Sequence, residues 1–496
     1  MGENITADHS GRLVIVSNRL PVVTTKKNGC LTMTTGSGGL VTALAPVLKN
    51  RGGVWIGWPG PIEENEYDKV QEMLSEQGKQ TGFSLNPVFL SEEEEKLYYS
   101  GFANEIIWPL FHDLQSECHF VPVYWYAVQE VNRKFAERIE QHSKKGDFVW
   151  VHDYHLMLVG QYLRERIGNE KIGFFLHIPF PPLDIFLKLP WRFQVLRALL
   201  EYDLIGFQTL RDQRNFIQCV KKLLPDVNLF NKSHVYICQT ATREVRIGAF
   251  PISIDFQEFS KRAASNEVST QVGSIHEHLK GQRIVFSCDR LDISKGIPYR
   301  LEAIRHLLSK HSELLEKVTF FQVVIPSRVE IPKYQNLKQE IDRLVGEINS
   351  QFGKVGWVPI QYLYHSISRE ELLAYYRFSE VALITPIKDG MNLVAKEYVA
   401  SNVNEDGVLV LSEFAGAATQ LQHEALLINP YDIEGVAETI YIALTFPLLD
   451  RKKRMRKMRR RVQQFDVFWW VKAFLKSAIS KDLNDFPVIE EYMPHE

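Results

Sequence analysis

VALITPIKDGMNLVAKEYVA, residues 381–400, decides the fold. It opens with an apolar run, VALITP. A charged pair, a glycine and an amide follow in IKDGMN, and a helix-periodic stretch comes after them. A short run that is apolar on both faces suits a strand inside a parallel sheet whose two sides are covered by helices. The loop at the carboxyl end of such a strand is where open parallel sheets gather ligands. A carboxylate (Asp389), a flexible residue (Gly390) and an amide (Asn392) at that point can serve a ligand as well as a turn.

The same alternation runs through nearly the whole chain. In the first half the apolar runs are LVIVS (13–17), VWIGW (54–58), DFVWV (147–151), IGFFLHI (172–178) and LIGFQ (204–208). In the second half they are RIVFSC (283–288), VTFFQVVIP (318–326), WVPIQYL (357–363), VALITP (381–386), GVLVLS (407–412) and ALLIN (425–429). Strands alternating with helical segments predict parallel sheets joined by crossover helices. The polar segment 255–273 separates the halves and sets the expected domains at 1–255 and 256–464. The aromatic helical tail FDVFWWVKAFLKSAI, within 465–496, is too apolar to stand alone and is expected to pack back on the first domain.

Composition limits the function classes. The chain has 496 residues, 45% hydrophobic and 24% charged, with a formal net charge of -2, so nothing pulls it globally toward nucleic acid or membrane. Five cysteines (Cys30, Cys118, Cys219, Cys238, Cys288) are scattered without CxxC spacing, which indicates neither a disulfide framework nor a zinc site. The first ten residues lack the basic and apolar regions of a signal peptide, and no apolar run approaches a membrane span. A cytoplasmic protein is expected, with no metal and no cofactor; a homo-oligomer is compatible with the composition. The run RKKRMRKMRRR (451–461) reads as the solvated face of a helix. SEEEEK (91–96) reads as a helix start whose acids complement the dipole.

The loops after the strands carry the candidate chemistry. LVIVS leads to Asn18 and Arg19. TGSGGL (35–40) opens a helix, where the amides of Gly38 and Gly39 suit a phosphate or sugar oxygen, although a plain flexible turn has the same sequence. VWIGW ends on Trp58, WVHDYH supplies Asp153 and His155, and FFLHIPFPP supplies His177. A lone strand-end histidine is more often a packing residue, but here several polar groups share one edge. SCDRLDISKG (287–296) sets Arg290 and Lys295 beside a helix N-terminus, a combination that fits a diphosphate. The competing reading pairs cations there with Asp289 and Asp292. In the opening stretch, Gly390, Met391, Asn392 and Leu393 are expected to form the first turn of a helix. Glu397 lies on the same side as Asp389, so one carboxylate can hold sugar hydroxyls and the other a ribose. An Asp N-cap with a surface Glu is the alternative.

Taken in order, VSNRLPV (16–22), GSGGL, GWPG (57–60), YYSGFAN with WP (98–109), VHDYHL (151–156), GFFLHIPFP (173–181), DRLDISKG (289–296), PSRVE (326–330), DGMNLVAKEYVA (389–400) and VLSEFAGAA (410–418) resemble trehalose-6-phosphate synthase. The resemblance implies an α/β protein of two Rossmann-like domains facing across a cleft, the glycosyltransferase B-type fold. It further implies a retaining, metal-independent transfer of glucose from UDP-glucose to glucose 6-phosphate, with acceptor in the first domain and donor in the second. By matched motif, Arg19, Tyr99 and Arg328 would take the acceptor phosphate, with Trp58, Trp108 and Asp153 around the acceptor sugar. Arg290 and Lys295 would take the donor diphosphate and Glu397 the ribose. His177, Asp389 and the amides of 390–393 would hold the transferred glucose and phosphates, and Gly38 and Gly39 would close over the donor phosphate. Arg290, Lys295, His177 and Asp389 are the expected catalytic set. Ile293 and Ser253 depart from the family pattern, where Tyr and Gly are frequent. The alternatives are glucosylglycerol-phosphate synthase, which uses glycerol 3-phosphate, and a non-catalytic regulatory homologue.

Overall fold

Every apolar run named above carries a strand in the computed structural model, which describes residues 11–27, 30–36, 39–167, 170–232, 235–279, 281–328, 330–480 and 482–494. The chain divides into two compact units. The first comprises Met1–Ile252 with Val467–Glu491, and the second Ser253–Asp466 with Tyr492–Glu496.

The first unit contains β1 (Leu13–Arg19), β2 (Val22–Lys27), β3 (Cys30–Thr35), β4 (Val54–Trp58), β5 (Ser84–Pro87), β6 (Phe148–His152), β7 (Lys171–Phe175), β8 (Leu204–Phe207), β9 (Asn228–Lys232), β10 (Val235–Gln239) and β11 (Glu244–Ala249). Its main sheet runs β5-β4-β1-β6-β7-β8-β11-β10-β9. All neighbours up to β11 are parallel, and β10 turns antiparallel between β11 and β9. The apolar-run criterion misses β2, β3, β5, β9, β10 and β11 for a physical reason. VVTTKK and CLTMTT are threonine-rich, SLNP is short, and NLFNK lies mostly exposed, so none presents a two-sided apolar run.

The second unit contains β12 (Arg283–Arg290), β13 (Val318–Ile325), β14 (Ile360–Leu363), β15 (Val381–Ile384), β16 (Val408–Ser412) and β17 (Leu426–Ile428), in the order β14-β13-β12-β15-β16-β17 and parallel throughout. Its four central strands, β12, β13, β15 and β16, are almost wholly buried, as a sheet covered on both faces requires, while the edge strands β14 and β17 are half-buried. In both units the order reads outward from the first strand in two directions, the doubly wound Rossmann pattern. The switch point falls between β1 and β6 in the first unit and between β12 and β15 in the second.

The aromatic tail forms the helix Val467–Ile479 against the first unit's sheet. Phe474 stacks on Trp150 with ring centroids 4.3 Å apart, and Trp470 meets Phe175 edge-on at 5.1 Å. The glycines of IGFF and LIGF make this contact: a Cβ on Gly173 or Gly206 would stand 2.9 or 2.8 Å from the Phe474 ring. SEEEEK behaves as its acids suggest. Ser91 and Glu94 form a reciprocal capping box, and the chain then winds as a π-helix over Glu95–Ile107.

The basic run differs from its sequence reading. Within the helix Leu448–Gln464 only part of it faces solvent. Arg459 donates to the carbonyls of Val399 and Ala400, at the end of the helix Leu393–Ser401, and to Ser260 Oγ. Arg451 bonds Glu380 and the Asp406 carbonyl, and Arg454 the Glu424 carbonyl. Helix ends leave carbonyls without intrahelical partners. Arg459 supplies donors to such carbonyls, and Arg451 and Arg454 bond carbonyls of loops and turns, which periodicity cannot reveal.

Candidate functional site

In the first unit the candidate residues collect at the switch point. β1 delivers Arg19, whose guanidinium lies 3.7 Å above the Trp58 ring at the end of β4 and 5.6 Å from the Tyr99 ring. The Arg19 guanidinium makes no hydrogen bond or ion pair to a described residue, and burial lowers its pKa, with Tyr99, Glu95 and Tyr98 opposing that shift. A guanidinium lying flat on an indole keeps its edge available for bidentate capture of an anion. Trp58 and Tyr99 meet edge-on at 6.0 Å, and Tyr99 stacks on His155 at 5.8 Å. His155 packs on Tyr154 at 3.9 Å, which reaches Trp108 at 5.9 Å. One string of rings thus joins Arg19, Trp58, Tyr99 and Trp108, with His155 and Tyr154 as links. Tyr98 donates to Asn18 Oδ1 (2.9 Å), which ties the π-helix to β1.

Asp153 leaves β6 with φ +77, a conformation rarely held by a residue with a side chain. Its amide donates to the Phe175 carbonyl (2.8 Å), and its Oδ1 accepts the His177 amide (3.2 Å), so the β6 and β7 loops are clamped together. The His177 ring lies 3.1 Å, Nε2 to Nδ1, from His152. Burial holds the His177 pKa down at about 3 and that of His152 well below its ordinary value. Both imidazoles are therefore neutral at physiological pH. The sequence does not single out His152, which falls just past the apolar run 147–151; only its contact with His177 brings it into the site. Gly38 lies outside the described residues, and Gly39 is the first residue of the helix Gly39–Arg51.

In the second unit the ends of β12 and β15 converge. Lys295 follows β12 in a short 3-10 turn capped by Asp292, whose side chain accepts the Ser294 amide. Its ammonium sits 2.5 Å from Asp389 Oδ2, with side-chain exposures of 13% and 14%. The Asn392 side-chain amide donates to that same oxygen (3.1 Å), and the Met391 amide donates to Oδ1 (3.3 Å). The DGMN loop is fixed from behind by FAGAA. Gly416 donates to the Asp389 carbonyl (3.1 Å), Ala417 to that of Met391 (2.7 Å), and a Cβ on Gly416 would fall 1.9 Å from the Gly390 carbonyl oxygen.

The expected first helical turn over 390–393 is not formed. The helix begins at Leu393, after Asn392 at φ +70, whose side chain caps the Ala395 amide. Asp389 and Gly390 bend to meet the FAGAA loop, and that long-range contact shifts the helix start. Glu397 accepts from Tyr376 Oη at 3.0 Å and its pKa is raised, chiefly by burial. It is therefore a half-buried acceptor and not a fully exposed surface acid.

The acids of DRLDISKG do form ion pairs, but with other cations than the two nearest in sequence. Asp289 pairs with the fully buried Arg300 (2.7 Å), which also bonds Thr385 and Gln322. Asp292 pairs with Arg328 (2.9 Å), whose backbone has φ +50 and whose guanidinium also meets Tyr334 Oη at 2.5 Å. Arg290 is exposed and makes no ion pair to a described residue. Among the described residues no helix is long and apolar enough to cross a membrane, and no group of three or more His, Cys, Asp or Glu side chains could hold a metal ion.

Comparison with known proteins agrees with this fold. The model of glycosyltransferase family 20 matches residues 11–480. An alpha,alpha-trehalose-phosphate synthase [UDP-forming] 2 of Aspergillus niger is 40% identical, over 96% of this chain and 98% of its own. A trehalose-6-phosphate synthase of Mycolicibacterium vanbaalenii is 41% identical, over 95% and 96%. Among solved structures, a Burkholderia xenovorans alpha,alpha-trehalose-phosphate synthase (UDP-forming) in complex with glucose-6-phosphate superposes with TM-score 0.84 at 33% identity, covering 94% of this chain and all 100% of that one. An E. coli protein bound with UDP-2-fluoro glucose gives TM-score 0.84 at 33% identity over 97% and 100%. With its two doubly wound units of the glycosyltransferase B-type fold, the chain belongs to glycosyltransferase family 20.

Proposed function

We propose that this glycosyltransferase moves glucose from UDP-glucose to glucose 6-phosphate with retention, giving trehalose 6-phosphate and UDP, and that it works in the cytoplasm. The observation that carries the reading is the meeting of Lys295 and Asp389 at the ends of adjacent strands, beside a helix N-terminus, in a chain aligned end to end with UDP-forming trehalose-phosphate synthases. Lys295 and Arg290 take the diphosphate, Glu397 the ribose, and Asp389, His177 and the amides of 390–393 the transferred glucose. Gly38 and Gly39 close over the donor phosphate. Arg19, Tyr99 and Arg328 take the acceptor phosphate, and Trp58, Trp108 and Asp153 surround its sugar.

These roles fit the reaction. Breaking the bond between the glucose anomeric carbon and the diphosphate puts positive charge on the ring and negative charge on the leaving group. Fixed cations and amides at the phosphate lower that barrier most. The acceptor oxygen bonds to the same carbon from the face the diphosphate leaves, and its proton passes to a departing phosphate oxygen. Neutral His177 can hydrogen-bond a sugar without adding charge beside the developing cation. Burial of Arg19 on Trp58, with no acid paired to it, supports a dianionic acceptor phosphate there.

The test is a matrix of nucleotide sugars against glucose 6-phosphate and glycerol 3-phosphate, with products identified by mass and anomeric configuration. Trehalose 6-phosphate from UDP-glucose is expected. Turnover with glycerol 3-phosphate alone overturns the acceptor, and no turnover with any pair favours the regulatory homologue.

A further inference from the structure

The Lys295–Asp389 contact joins two side chains that the proposed function sends to opposite ends of one donor. Lys295 is assigned to the diphosphate and Asp389 to the glucose, yet the two are in direct contact and largely buried. Asp389 Oδ2 accepts from both the ammonium and Asn392, while Oδ1 takes the Met391 amide. The carboxylate thus has backbone and side-chain support that does not depend on Lys295. The ammonium ends a flexible stem rooted in a 3-10 turn held by Asp292. Among the described residues the ammonium makes no other hydrogen bond or ion pair, whereas the carboxylate keeps two further donors when the ammonium leaves.

We infer that Lys295 and Asp389 form an exchange pair that makes recognition of the glucose depend on the diphosphate. A diphosphate arriving at Lys295 competes with Asp389 for the ammonium. A more highly charged anion draws it away, and the position on Oδ2 that the ammonium held passes to a sugar hydroxyl. UDP without glucose must still compete with the carboxylate and receives nothing in return; UDP-glucose recovers the loss through the hydroxyl. The exchange rests on the donor roles proposed above. It goes beyond them in giving Asp389 an opposing action on nucleotide affinity, so that this carboxylate selects the sugar nucleotide over the bare nucleotide.

The experiment is calorimetric titration of the full chain with UDP and separately with UDP-glucose, for the wild type, Asp389→Asn and Lys295→Gln. Asp389→Asn is expected to bind UDP about tenfold more tightly and to lose the preference for UDP-glucose over UDP, while turnover falls at least about a hundredfold. Lys295→Gln is expected to lose UDP affinity. If Asp389→Asn binds UDP no more tightly than the wild type while Lys295→Gln still weakens it, the exchange is wrong and the donor role of Lys295 stands. If Lys295→Gln binds UDP as the wild type does, that donor role fails and the exchange with it. Asp389→Ser, which also removes the charge, replaces Asp389→Asn if the latter does not fold, and carries the same expectations.

Discussion

The two units share a strand order and handle charge in opposite ways. At the first switch point a single cation, Arg19, lies on an aromatic face with no ion pair to a described residue, Glu95 acting on it only at a distance, and two histidines are kept neutral by burial. At the second, Lys295, Arg300 and Arg328 each have a carboxylate within 2.9 Å, while the exposed Arg290 makes no ion pair to a described residue. The difference teaches that one fold can prepare an anion site in two ways. An unpaired guanidinium stacked on an indole draws its anion directly and gains orientation from the ring. A paired cation avoids the cost of an isolated buried charge, but its ligand must displace or share a carboxylate. The first site is ready for a phosphate at all times, whereas the second responds to what is brought to it.

Four measurements break or sharpen this contrast. The largest effect is expected from Lys295→Ala, which removes one of the two cations proposed for the leaving diphosphate and should lower kcat by roughly 10² to 10³ fold in a UDP-release assay; a change of only a few fold removes Lys295 from the chemistry. Arg19→Ala should act mainly on the acceptor, raising KM for glucose 6-phosphate by about 10 to 100 fold, the range for a hydrogen bond to a charged group, with the KM for UDP-glucose little changed. Arg19→Lys should not restore it, since an ammonium cannot both stack and fork.

The neutral histidines predict a third effect, on stability. A histidine whose folded pKa is near 3 binds no proton between there and its ordinary value of about 6.5, while the unfolded chain does. Stability therefore falls as pH drops through that window, by about 2 kcal/mol from His177 at pH 5, and is fully present above about pH 7. Melting temperatures of the wild type and His177→Gln at pH 7.5 and 5 check it: the wild type should lose more on acidification. The smallest effect is expected from Arg459→Ala, about 1 to 2 kcal/mol of second-unit stability from loss of its bonds to the carbonyls ending Leu393–Ser401, read as a downward shift in melting temperature with donor KM nearly unchanged.

Much of the fold is legible in the residues alone. Runs apolar on both faces mark every parallel strand but β5 and β11, because a strand covered by helices on both sides has no polar face to show. The strand-end positions of Arg19 and Trp58 and the loop positions of Asp153, His177, Lys295 and Asp389 follow, because ligands and polar residues share the carboxyl edge. The polar strands β2, β3 and β9 carry no such signal: threonine and lysine fill the first two, and the third is mostly exposed.

By itself the sequence determined the periodicities, hence the alternating α/β architecture, and the residue types able to bind phosphate and sugar. It could not determine partners, because pairing depends on distances between segments far apart in the chain. Only the tertiary structure put Arg300 rather than Lys295 on Asp289, Lys295 on Asp389 and Arg328 on Asp292, ended the DGMN turn at Leu393, and set His152 against His177. A charge pattern states how many ion pairs are available; the fold decides which of them lie within contact distance.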